Sequence, residues 1–113
     1  MDKSLSYKNL IKEILSRQLG IANRQTTPEI EEILVADDEN GVYIWQALGW
    51  EKKKRHNYQR VLVRVCNGKI YIEEDWTEEG IGNQLSEKGV PKEDIVLAFH
   101  QPEMRKLTEF AVT

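Results

Sequence analysis

Two histidines and one cysteine are the residues of this sequence best suited to proton transfer or nucleophilic attack. Such chemistry needs a base within hydrogen-bond range of the nucleophile's proton. No local motif joins His56 or His100 to Cys66 or to a serine, so both histidines read as solvated or structural groups. Cys66 precedes a tight turn, where a packed thiol is the default. Glu73, Glu74 and Asp75 form a carboxylate run of the kind a nuclease uses to hold a divalent ion. Strand alternation, however, sends Glu74 to the face opposite Glu73 and Asp75, and arginines stand across from those two. Gly80-Ile81-Gly82 has neither the dinucleotide glycine pattern nor a P-loop lysine. No catalytic, cofactor-binding or metal-binding constellation emerges, and the chain reads as a non-enzyme.

Binding chemistry is better represented. Between Lys52 and Arg64 there are six bases and no acid. Lys52, Lys53, Lys54, Arg55, Arg60 and Arg64 are therefore the candidate nucleic-acid contacts. If all six met phosphates, log affinity would fall against log salt with a slope near about −5. The opposing reading is a solvated loop, which short charge runs usually are. The runs Glu29 to Glu39 and Glu73 to Glu79 are purely acidic, and the net charge of −3 is the wrong sign for a protein that coats DNA. The same segregation suits docking to an oppositely charged protein surface. For such an interface the candidates are Trp45, Trp50, Phe99, Met104, Arg105 and Phe110, with Tyr43, Trp45 and Trp50 as core residues wherever they are buried.

These groups need a scaffold, and 113 residues at 40% hydrophobic and 31% charged fit one globular domain spanning 1–113. A single cysteine excludes an internal disulfide and fits a reducing compartment. The Met1-Asp2-Lys3-Ser4 start carries no signal peptide, and no apolar run has membrane-spanning length, so a cytoplasmic protein without membrane contact is expected.

Tyr7, Leu10, Ile11, Ile14, Leu15 and Leu19 share one helical face, with Ser4 or Ser6 as a cap, Gly20 as an end signal and a polar connection over 21–28. Asn40-Gly41 and Asn67-Gly68 each fit a two-residue hairpin turn. Those turns pair Ala36 with Trp45, Arg64 with Tyr71 and Arg60 with Asp75, with Glu73 diagonal to Arg64. The 51–57 stretch reads as a polar loop between strands. The expected architecture is α+β: an N-terminal helix, a four-stranded antiparallel meander sheet, and short C-terminal helices. One of these begins after Thr77, buries Ile81 and Leu85 and ends at Gly89; Ile95 to Phe99 is a strand or a buried segment.

The run GVPKEDIVLAFHQPEMRKLTEFAV from Gly89 resembles the C-terminal signature of the XisI family, the fdxN element excision controlling factors of cyanobacteria. The opening helix, GWEKKKR at Gly49 to Arg55, NGKIYI at Asn67 to Ile72 and TEEGI at Thr77 to Ile81 match in the same order. The Glu-Glu-Asp-Trp stretch before Thr77 is more acidic and bulkier than the family pattern, and the basic segment is richer in lysine. The resemblance implies an accessory role in excising a DNA element as nitrogen-fixing cells differentiate. The implied partners are a nuclease-like XisH protein and a site-specific recombinase, with DNA as a direct contact in the alternative reading. Self-association through a sheet edge is a further expectation.

Overall fold

The computed structural model describes residues 3–25 and 29–113. Helix α1 spans Lys3–Gln25 and is followed by β1 (Ile30–Asp37), β2 (Val42–Glu51), β3 (Lys54–Cys66) and β4 (Lys69–Asp75). Helix α2 (Ile81–Glu87), a 3₁₀ turn at Lys92–Asp94, β5 (Ile95–Leu97) and α3 (Pro102–Arg105) complete the chain. The sheet has five strands in sequence order, not four. The first four form the antiparallel meander, and β5 lies parallel to β4, pairing Ile70 with Ile95 and Ile72 with Leu97. Three residues make a strand here because Ile95 and Val96 are fully buried.

The helical stripe packs as its spacing requires: Tyr7, Ile11, Ile14 and Leu15 are buried against the sheet. Gly20 does not end the helix, and Ser4 and Ser6 lie within it. Leu19 just before Gly20 and Ala22 just after it both pack on the core, and tertiary packing outweighs a single poor helix former. Of the expected polar connection, 21–25 are helical, and 26–28, with Pro28, lie outside the described residues.

The Asn67-Gly68 turn has the positive φ angles, 53° and 75°, that a type I′ hairpin demands. Asn40-Gly41 is different. The Asp37 carboxylate accepts from the backbone and side-chain nitrogens of Asn40, at 3.0 and 2.7 Å, and the turn becomes a four-residue loop between Asp37 and Val42. Ala36 consequently faces Tyr43, and Leu34 faces Trp45. This register is two residues from the expected one, so every side chain keeps its face. The supposed 51–57 loop is mostly strand, because Glu51 pairs with Lys54 and only Lys52-Lys53 turn.

Bulges break both long ladders, at Trp45/Gln46 and at Leu62/Val63. The second pairs Asp75 with Val61, so Arg60 does not face Asp75. The Asp75 carboxylate instead accepts from Thr77 N and Oγ1 and from Ile81 N, at 2.6–2.9 Å, and Thr77 Oγ1 accepts from Gly80 N at 3.1 Å. That small network sets the angle at which α2 enters, with Ile81 and Leu85 inward.

Two buried tyrosines tie α1 to the rest. The Tyr7 hydroxyl donates to Asp94 on the 3₁₀ turn, and that of Tyr43 donates to Asp38 at 2.6 Å, with Lys12 Nζ 2.8 Å from the same carboxylate. Burial first, and then the neighbouring carboxylate, pushes Tyr7 up from 10 to about 12; the same causes raise Tyr43. Folding favours the protonated phenols, so their contribution is complete below pH 10 and is lost as pH rises toward 12. A Tm that falls between those pH values is therefore expected, and Tyr7→Phe should flatten part of the fall. Thermal melts over that range test it.

Candidate docking surfaces

Strand alternation divides the sheet into two unlike faces. One carries Tyr43, Trp45, Val61, Val63, Val65, Ile70, Ile72 and Ile95 into a core shared with α1 and α2. The other carries Ile33, Val35, Ile44, Leu48, Trp50 and Leu62, and no described helix packs on it. Val35 is 45% exposed, Trp50 54% and Phe99, just beyond β5, 46%. A cleft of about 390 Å³ lies between Leu62, Trp76 and Phe99, with Glu73 and Glu74 lining it. Sheets with one wet face normally alternate apolar and polar residues, so aliphatic and aromatic groups on both faces mark a surface suited to a partner.

The expected protein contacts divide accordingly. Trp50, Phe99 and Met104 are exposed. Trp45 is buried on the core side, where its Nε1 donates to Glu32 at 2.8 Å. Phe110 packs against the core with the Lys92 amine 6.0 Å above its ring. Arg105 is a fastener: its guanidinium donates to the carbonyls of His100, Ala98 and Val112 at 3.0–3.2 Å and holds the C-terminal segment closed.

The cations do not form a single patch. Lys52, Lys53, Lys54 and Arg55 cluster at the β2–β3 tip, with the Arg55 guanidinium 5.5 Å above the Trp50 ring. Arg64 lies on the outer face over Tyr71 and pairs with Glu73 at 3.1 Å. Arg60 is the extra residue of the first bulge and points to the core side. There it grips Glu32 through Nε and Nη2, at 2.6 and 3.0 Å. The Glu32 side chain is wholly inaccessible, and its carboxylate holds the Arg60 guanidinium above its ordinary pKa. Of the six cations, four therefore cluster at the tip, while Arg60 and Arg64 stand apart from them.

Glu32 was not foreseen, although its place between inward Ile30 and Leu34 on β1 is a sequence signal for a buried charge needing a partner. Asn23 supports it, donating to the Glu32 carbonyl at 2.9 Å and accepting from its amide at 3.0 Å. This contact caps the outer edge of β1 near its start. Of the groups considered for chemistry, His56 sits between the Tyr58 hydroxyl at 3.3 Å and Glu51 at 3.4 Å, and His100 lies against the Phe99 ring at 4.4 Å. Cys66 is exposed at the end of β3. Among the described residues, no three potential ligands converge to hold a metal, and no helix is long and apolar enough to cross a membrane.

A meander sheet with one helix-covered core face, one open apolar face and a basic hairpin tip defines a small α+β domain. The family is shown by the match of residues 1–112 to the XisI protein family, and the chain belongs to it. An XisI-like protein from Anabaena variabilis ATCC 29413 superimposes with a TM-score of 0.89 at 27% identity, covering 97% of this chain and 99% of that one. The fdxN element excision controlling factor XisI from the same strain superimposes with a TM-score of 0.86 at 36% identity, covering 99% and 100%. Among curated proteins none matches this chain.

Proposed function

We infer that this chain is a non-catalytic regulatory factor in excision of a DNA element, acting by docking a protein on the open face of its sheet. The family, and a 36% identical relative named as an excision controlling factor, support the process. The mode of action rests on one observation: the outer face leaves Val35, Trp50 and Phe99 exposed, and Phe99 lines a cleft edged by carboxylates. Such a surface suits a partner that offers aliphatic and basic side chains. A nuclease-like XisH protein is the first candidate partner, and a site-specific recombinase the second. Both would work in the cytoplasm.

Co-purification with an XisH-like protein tests this reading. Trp50→Ala/Phe99→Ala removes two half-exposed rings and should cost about 1–3 kcal/mol while leaving the protein folded. Wild type is expected to retain the partner and the variant to lose it. A DNA-contacting accessory protein is the second reading, favoured by the four cations at the tip. It requires binding to element-end DNA with a log–log salt slope near about −3.6, abolished when the four become glutamate. Retention of the nuclease-like partner without DNA binding supports docking, and the reverse overturns it.

A further inference from the structure

The edge of β3 that should face β4 is only half used. β3 pairs with β2 from Lys54 onward, but β4 reaches only to Val61, and the last rung is Trp76 N donating to Arg60 O at 2.9 Å. From Lys54 to Gln59 the strand has a neighbour on one side alone, and among the described residues nothing else bonds to that free edge. The outer edge of β1 is capped by Asn23 at Glu32; the Lys54–Gln59 edge has no such contact. An open row of amides and carbonyls is a template for another strand.

Charge says which strand fits. The free edge begins at the cationic turn Lys52-Lys53 and ends against an acidic, aromatic wall of Glu74, Trp76 and Glu78. Trp76 is 75% exposed, its Nε1 donating to Glu74 at 2.9 Å. A groove of about 390 Å³ runs along this end, lined by Tyr58, Gln59, Arg60, Glu74 and Trp76. Arg60 adds no net positive charge there, because Glu32 neutralises it. A strand carrying cations at one end and ending beside acids at the other is complementary to itself when turned antiparallel.

We propose that two copies of this chain pair through the Lys54–Gln59 edges of β3, antiparallel and centred on His56, forming one sheet across both subunits. Lys54 then lies across from Tyr58 of the partner subunit, and the Lys52-Lys53 turn reaches the partner's Glu74 and Glu78 beside its Trp76. The two ends are equivalent by symmetry, so each ionic contact occurs twice. Both faces of the sheet continue across the junction, leaving the outer face free.

Sedimentation and amide exchange test the pairing. Wild type is expected at twice the 13.2 kDa monomer mass at tens of micromolar, shifting toward monomer in high salt. Amide exchange at 54–59 should slow several-fold on going from dilute to concentrated protein. Lys52→Glu/Lys53→Glu and Glu74→Lys/Glu78→Lys alter side chains that are exposed or, at Glu74, half-buried; each is expected to be monomeric alone, and an equimolar mixture should recover the doubled mass. A wild type that stays monomeric overturns the pairing. So does a dimer that survives in both variants, which would place the contact on the apolar face, or exchange at 54–59 that ignores concentration.

Discussion

Replacing Arg60 by alanine is expected to lower folding stability by about 3–4 kcal/mol, the range for breaking a buried ion pair by removing one member. The cost comes from what stays behind. The Glu32 side chain is fully inaccessible, and without Arg60 its carboxylate keeps only the Trp45 indole donor. Removing the other partner is milder, because the Arg60 side chain is 29% exposed and its guanidinium can turn to water. Glu32→Met should therefore cost about 1–2 kcal/mol. The double variant Glu32→Met/Arg60→Met should recover most of the Arg60 loss, since an apolar pair can replace a buried ionic one at little cost. Urea unfolding of the three variants measures this. Equal losses for the two single changes would contradict the assignment of Glu32 as the trapped charge.

A comparable loss is expected from one methyl group at Gly49. Its φ of 145° is one that L side chains rarely adopt, and a Cβ there would stand 2.0 Å from the carbonyl oxygen of Glu29 and 3.1 Å from Ile30 Cα. Both atoms are backbone, so relief requires moving the start of β1, where Ile30 pairs with Gly49 itself. Gly49→Ala should cost at least about 3 kcal/mol, by strain and by loss of that rung. Gly20→Ala is the counterpart with opposite sign. It lies within α1 with nothing inside 4 Å of the added carbon, and should gain up to about 1 kcal/mol. Thermal or urea unfolding of the pair measures both, and two shifts of the same sign would contradict this packing at Gly49.

What could be read from sequence followed the range of the interactions involved. The helical face from Tyr7 to Leu19 and the Asn67-Gly68 turn are set by neighbours in sequence, and both formed as their patterns require. Asn40-Gly41 carries the same dipeptide, but Asp37 captures the Asn40 amide, and a side chain three residues away overrides the dipeptide. The Lys52-Lys53 turn lacks a glycine, and Lys52 adopts φ 57°, so the basic stretch gave no turn signal and looked like a loop. Ile95 to Phe99 could be read only as a strand or a buried segment, because the three residues of β5 carry no periodicity and are held by β4. The least legible feature was the destination of Arg60. A bulge turns it to the core side, and its partner lies 28 residues back on a strand that does not touch β3. Trp50, Phe99 and Met104 were legible as candidate contacts by type, whereas only tertiary structure separates them from buried Trp45, Phe110 and the carbonyl-bound Arg105.

The proposed docking of a protein partner on the open sheet face can be measured in solution. Titration of an XisH-like protein with wild type and with Trp50→Ala/Phe99→Ala, at one salt concentration, tests it most directly. A complex of micromolar or tighter Kd is expected for wild type, weakened at least about tenfold in the variant, equivalent to about 1.4 kcal/mol. Equal affinity for both proteins, or no complex with wild type at micromolar concentration, would contradict it.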